Sequence, residues 1–183
     1  MKFGNIKPKL IILSDLWGKE KSYWVDHYVT ILENNFEIKY YDCCELGELN
    51  KTEYYEESLH DQFINGGIER AVENLIEKEK DNIHILAFSI GGLISWKASL
   101  LGLKSESIFA ISSTRLRKET EKPNCIIQLF YGENDEYKPE SNWFLKLKIE
   151  NQIVKNENHN LYQNKEFAEM LTKKIIKKIK PNG

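Results

Sequence analysis

The stretch IHILAFSIGGLISWKA, Ile83 to Ala98, decides how the chain is read. An almost continuous apolar run ends on Ser89, a glycine pair follows, and apolar residues then return at wider spacing. The first half suits a strand covered on both faces. The second half, with Leu93, Ile94, Trp96, Ala98 and Leu100, suits a helix. The serine thus stands where a buried strand turns sharply into a helix. Such a turn lifts the hydroxyl clear of the sheet and leaves the next backbone N–H facing the same space. It also crowds the residues two before and two after the serine, so both must be small. Ala87 and Gly91 meet that demand, and Gly92 lets the helix press on the sheet.

Five more strand-like runs surround this one: KLIILS (9–14), FEIKYYD (36–42), SIFAIS (107–112), CIIQLFY (125–131) and LKLKIENQIV (145–154). Helical stripes fill the gaps. One is Tyr23, Trp24, Tyr28, Ile31 and Leu32. A second runs from Phe63 and Ile64 to Leu75 and Ile76, weakened by Gly66 and Gly67. A third closes the chain from Phe167 to Ile179. Strands alternating with helices predict a doubly wound, three-layer α/β sandwich of six mainly parallel strands. The second and sixth runs alternate apolar with polar residues and so belong at the two edges, while the other four are apolar throughout and belong inside. With right-handed crossovers this predicts the order 2-1-3-4-5-6. The sheet reverses its winding between strands one and three, and ligands of open α/β sheets bind at that point, beyond the carboxyl ends of the strands. Ser89 ends strand three.

Composition narrows the function. The 183 residues fit one domain, 1–183, able to bury roughly 70% of its unfolded surface. A net charge of −2 offers no footprint for nucleic acid. The apolar run of the N-terminus, Leu10 to Leu13, is too short for a signal peptide or a membrane span, so no membrane insertion is expected. Three cysteines without ligand spacing, Cys43, Cys44 and Cys125, read as reduced thiols of a cytoplasmic protein. No metal-ligand set is visible, and no cofactor is implied. A phosphate cradle at Ser89–Gly92 lacks the glycine and lysine spacing of known nucleotide loops.

The Ala87-Phe88-Ser89-Ile90-Gly91-Gly92 turn at the third strand's end resembles that of the α/β-hydrolase superfamily. The family's order of serine, acid and histidine matches further residues. Asp135 lies in G-E-N-D after strand five, and His159 lies in the polar loop K-N-E-N-H-N before the last helix. The resemblance implies Ser89 as nucleophile, His159 as base and Asp135 as its orienting acid. It also implies an oxyanion hole formed by the N–H groups of Ile90 and of Leu16, in the loop after strand one. Trp17 and Phe88 would line the substrate. Ser14-Asp15 stands where many members have His-Gly, and Asp-Leu-Trp-Gly is more similar to the dienelactone-hydrolase branch, whose usual nucleophile is cysteine rather than serine.

Other assignments stay open at this level. Glu133 is the alternative acid. His27, His60 and His84 are competing histidines, none placed at a strand's carboxyl end after the acid. Asp15 reads as a loop or helix-start residue, and Trp17 as a rim or packing residue. Arg115 and Arg117 read as surface arginines on the active face. Cys43 and Cys44 read as structural residues far from the site. The stretch from Ser113 to Asn124, where many relatives carry a helical lid, is too short for one, so a minimal lidless core is expected. The predicted protein is a serine hydrolase of carboxylic esters or thioesters acting on a small or extended acyl substrate. The alternatives are an acyltransferase with the same triad and a non-catalytic binding protein. The oligomeric state is unknown at this level.

Overall fold

The computed structural model describes residues 7–180. Residues 1–6, which precede the apolar run weighed above, lie outside them. Six strands form one sheet: β1 (Lys9–Leu13), β2 (Glu37–Tyr41), β3 (Ile83–Phe88), β4 (Ser105–Ile111), β5 (Ile126–Gly132) and β6 (Glu150–Val154). Every neighbouring pair is parallel, in the order β2-β1-β3-β4-β5-β6. The order is the predicted one, although the alternation that placed the sixth run at an edge began in residues that are helical.

The period of two along each strand divides the core. Ile11, Leu13, Ile85, Ala87, Ile108, Ala110, Leu129 and Tyr131 face one layer. That layer contains α2 (Cys43–Leu46), α3 (Glu56–Gln62), α4 (Ile68–Lys78), α5 (Ile90–Leu100) and α6 (Ser141–Leu147). Leu10, Ile12, Leu86, Phe88, Phe109, Ile111 and Phe130 face the other, covered by α1 (Asp26–Leu32) and α7 (Lys165–Ile179). Helix α5 sits centrally, which explains why Ile90 to Trp96 are buried almost all round.

Three details differ from the sequence reading. Residues 145–147 end helix α6 rather than open a strand, and Lys148 caps it in a left-handed conformation. Leu145 is exposed while Phe144 and Leu147 are buried, so the alternation in L-K-L-K was the last turn of a helix seen at the wrong period. Gly66, at φ 105°, breaks the second helical stripe into an irregular turn (Phe63–Gly67) and α4, which leaves Ile64 exposed. Tyr23, counted in the first stripe, is exposed and lies in a short 3₁₀ turn (Tyr23–Val25) before α1.

No helix among the described residues is long and apolar enough to cross a membrane. Between β4 and β5 there is only a 3₁₀ turn, Thr114–Lys118, and extended chain, as expected for a core without a lid.

Candidate active site

Ser89 has φ 47° and ψ −113°, a conformation that L-residues avoid and that costs on the order of 1–3 kcal/mol. The backbone holds it there from both sides. Its N–H donates to Ile111 O on β4, and Gly92 N–H donates to its carbonyl. The small residues of the turn are required by contact. A Cβ on Gly91 would lie 2.6 Å from Ser14 O, and one on Gly92 would lie 1.9 Å from Ser113 Oγ. The crowding inferred for the turn thus falls against the ends of β1 and β4.

The acid and histidine loops arrive from the other side and are stitched together. Glu133 N–H donates to Val154 O and Asn134 N–H to Glu157 O, both at 2.8 Å. Gly132 permits this approach, since a Cβ there would stand 2.4 Å from Glu157 O. Asp135 is buried, and its Oδ2 lies 2.9 Å from His159 Nδ1. His159 Nε2 lies 3.1 Å from Ser89 Oγ. An ionised carboxylate can only accept, so Nδ1 carries the proton and Nε2 is left to accept from the serine hydroxyl. Asp135 Oδ1 accepts from Tyr137 N–H at 3.3 Å, which fixes the carboxylate's other oxygen. This chain of contacts can move a proton from a hydroxyl to an imidazole and stabilise the cation that results. Ser89 and His159 are half-exposed, so an external molecule can reach them.

The competing residues lie elsewhere. Glu133 turns its carboxylate to Asn156 N–H at 3.1 Å. His84 is enclosed between Ser107, 2.9 Å away, and Glu106. His60 lies on α3, 3.5 Å from an Arg115 nitrogen. Arg117 stacks on the Tyr137 ring at 5.5 Å. Phe88 requires a correction. It is fully buried against Trp24, Tyr28 and Tyr162, with ring centroids 4.7, 5.0 and 5.6 Å away, and lines no substrate space. Strand parity explains this: Phe88 shares a face with Leu86, beneath the turn rather than above it. Trp17 is half-buried, edge-on to Tyr54 and covered by the Lys21 ammonium at 3.8 Å.

The loop after β1 is held by more residues than its sequence suggested. Four successive carbonyls are taken. Ser14 O accepts from Cys43 Sγ–H at 3.0 Å and Leu16 O from Cys44 Sγ–H at 3.2 Å. Asp15 O accepts from the Ser14 hydroxyl and Gly18 N–H, and Trp17 O accepts from the Tyr54 hydroxyl. Burial raises both thiols, Cys44 to about 12 and Cys43 well above the ordinary range, so both stay protonated and able to donate. Far from being remote, the two cysteines open α2 beside this loop, because β2 ends next to β1. Among the described residues, no hydrogen bond occupies the N–H of Leu16 or of Ile90.

Asp15 is buried in the same place. Its Oδ1 accepts from Trp17 N–H at 2.9 Å and its Oδ2 from the Tyr162 hydroxyl at 3.2 Å. Burial raises its pKa from 3.8 to about 6, although the Trp17 and Tyr162 hydrogen bonds and nearby His159 pull it down. Neither Asp15's burial nor Tyr162's role was visible from spacing. The one available signal was that Tyr162 falls three residues after His159, one 3₁₀ turn on.

No protein-family model matches the chain, and no curated protein matches it. Solved structures do. A carboxylesterase from Bacillus subtilis, CesB (YbfK), superposes with a TM-score of 0.63 at 13% identity, covering 98% of this chain and 86% of that one. Est1E from Butyrivibrio proteoclasticus, solved with ferulic acid bound, gives 0.66 at 13% identity, covering 97% and 90%. The naproxen esterase (carboxylesterase NP) of Bacillus subtilis gives 0.62 at 12% identity, covering 96% and 85%. The chain therefore has the α/β-hydrolase fold over nearly its whole length, in a compact six-stranded form.

Proposed function

We propose that the protein is a serine hydrolase that cleaves a carboxylic ester or thioester through an acyl-enzyme. The observation that carries this reading is the unbroken contact from Ser89 Oγ to His159 Nε2 at 3.1 Å and from His159 Nδ1 to Asp135 Oδ2 at 2.9 Å. The strained serine at the strand–helix turn and the esterases among the structural neighbours support it.

In the proposed reaction, Ser89 Oγ attacks the acyl carbon while His159 Nε2 takes its proton. The carbonyl oxygen becomes an oxyanion facing the free N–H groups of Ile90 and Leu16. The adduct collapses, the imidazolium gives its proton to the departing alkoxide or thiolate, and Ser89 keeps the acyl group. Water, deprotonated by the same imidazole, then releases the acid and restores the serine. The short stretch between β4 and β5 leaves the site uncovered, which favours small or extended acyl groups over lipid pools.

A fluorophosphonate probe tests the proposal. Covalent labelling that disappears in Ser89→Ala and weakens strongly in His159→Ala is the expected result. Folded wild-type protein that is neither labelled nor able to release p-nitrophenol from p-nitrophenyl acetate would refute it.

A further inference from the structure

Every carbonyl from Ser14 to Trp17 has a donor, whereas the Leu16 N–H between them has no acceptor among the described residues. The Asp15 N–H has none either, so the loop is built to leave two adjacent donors over, the second being that of Leu16. Two bonds to a single side chain decide where that donor faces. Asp15 Oδ1 closes an Asx turn on Trp17 N–H, which fixes the two peptides flanking Leu16. Asp15 Oδ2 receives the hydroxyl of Tyr162, from the same 3₁₀ turn (His159–Gln163) that carries His159. Tyr162 is itself held, since its carbonyl accepts from the buried Tyr28 hydroxyl at 2.7 Å. Its ring also packs on Trp24 and Phe88, at 4.7 and 5.6 Å. One fully enclosed carboxyl thus ties the loop after β1 to the loop after β6, across the two strands' carboxyl ends.

We propose that Asp15 is a positioning residue of the active site, a latch that holds the loop after β1 against the histidine's turn and so aims the Leu16 N–H at the developing oxyanion. The proposal rests on the hydrolase reading above and adds a residue to it. Asp15 touches neither Ser89 nor the imidazole in these contacts; it acts through the Leu16 peptide and Tyr162.

The experiment compares wild type with Asp15→Ala, Asp15→Asn and Tyr162→Phe, separating kcat from KM for p-nitrophenyl acetate. It also measures inhibition by phenylboronic acid, whose tetrahedral adduct on Ser89 places an oxygen where the oxyanion forms. For Asp15→Ala, kcat falls about 100-fold or more, the scale of a lost oxyanion donor, while KM changes little. Affinity for the boronic acid falls with it. Asp15→Asn keeps an acceptor for Trp17 N–H and recovers most of the loss, a rescue that a carboxylate needed for its charge would not show. Tyr162→Phe, which removes one hydroxyl, loses about tenfold in kcat. Wild-type kcat in Asp15→Ala overturns the latch, as do equal losses in the alanine and asparagine variants and a kcat loss without weaker boronate inhibition. Should Asp15→Ala not fold, wild-type kcat in Tyr162→Phe overturns it alone. A wild type that fails fluorophosphonate labelling fails at the hydrolase reading and takes the latch with it, whereas a labelled wild type with an equally active Asp15→Ala refutes the latch only.

Discussion

Asp15→Asn should make the protein more stable at neutral pH, and the gain should disappear in acid. In the folded protein the Asp15 carboxyl has its pKa raised from 3.8 to about 6, chiefly by burial. Its surroundings are mixed: His159 favours the charged form, Asp42 opposes it, and protonated Tyr40, Cys43 and Cys44 lie close by. A raised carboxyl binds its proton more tightly folded than unfolded, so stability falls as pH rises from 3.8 to 6 and stays lowered above that. At about 1.4 kcal/mol per pH unit, the ionised group costs up to about 3 kcal/mol at pH 7 and almost nothing at pH 3. Asparagine carries no charge and keeps an acceptor for Trp17 N–H. Its weaker hydrogen bonds offset part of the gain, leaving about 1–3 kcal/mol at pH 7.5. Urea unfolding followed by the fluorescence of the four tryptophans measures this as a higher midpoint at unchanged slope. The difference between variant and wild type should shrink steadily between pH 6 and pH 4. A variant less stable than wild type at pH 7.5, or an advantage that does not change with pH, would refute the reasoning.

Ser89→Gly should abolish fluorophosphonate labelling and raise the melting temperature by about 2–4 °C, because glycine adopts the serine's left-handed backbone without strain worth about 1 kcal/mol; an unchanged or lower melting temperature would argue against stored strain. Gly132→Ala should cost about 1–3 kcal/mol and lower kcat more than the stability loss explains, since its Cβ drives Glu157 O, and with it the histidine loop, away from Asp135; a neutral effect in thermal melts would contradict the contact. Tyr28→Phe removes the 2.7 Å bond to Tyr162 O and should cost about 1 kcal/mol in urea unfolding.

The sheet was legible because burial on two faces and burial on one leave different residue patterns, and KLIIL, IHILAF and FEIKYY show both. The start of β6 was misread for a reason of length. Helix α6 is seven residues, too short for its period to outvote two lysine–leucine pairs. Ser89 was legible because its turn imposes size limits on fixed neighbours. Phe88 could have been placed by strand parity, which sets it beside Leu86 on the α1–α7 face. The loop after β1 was not legible. Its anchors, Cys43, Cys44, Tyr54 and Tyr162, stand between 28 and 147 residues from the atoms they hold. Such hydrogen bonds impose no local spacing, and cysteine or tyrosine at those positions reads equally well as core.

The two sides of the site are thus secured by different means, and they should respond differently to substitution. Ser89 is held by main chain: strand β3, the start of α5, and neighbours that must be small. Most changes there either clash or spare the geometry. The loop that presents Leu16 follows β1 and is held by side-chain hydroxyls, thiols and one buried carboxyl. Each such bond contributes only about 1 kcal/mol, so single losses should leave the protein folded while loosening a donor whose value depends on placement within a few tenths of an ångström. Activity in Cys44→Ala or Tyr54→Phe should therefore drop well before stability does, whereas at Gly91 both should fall together.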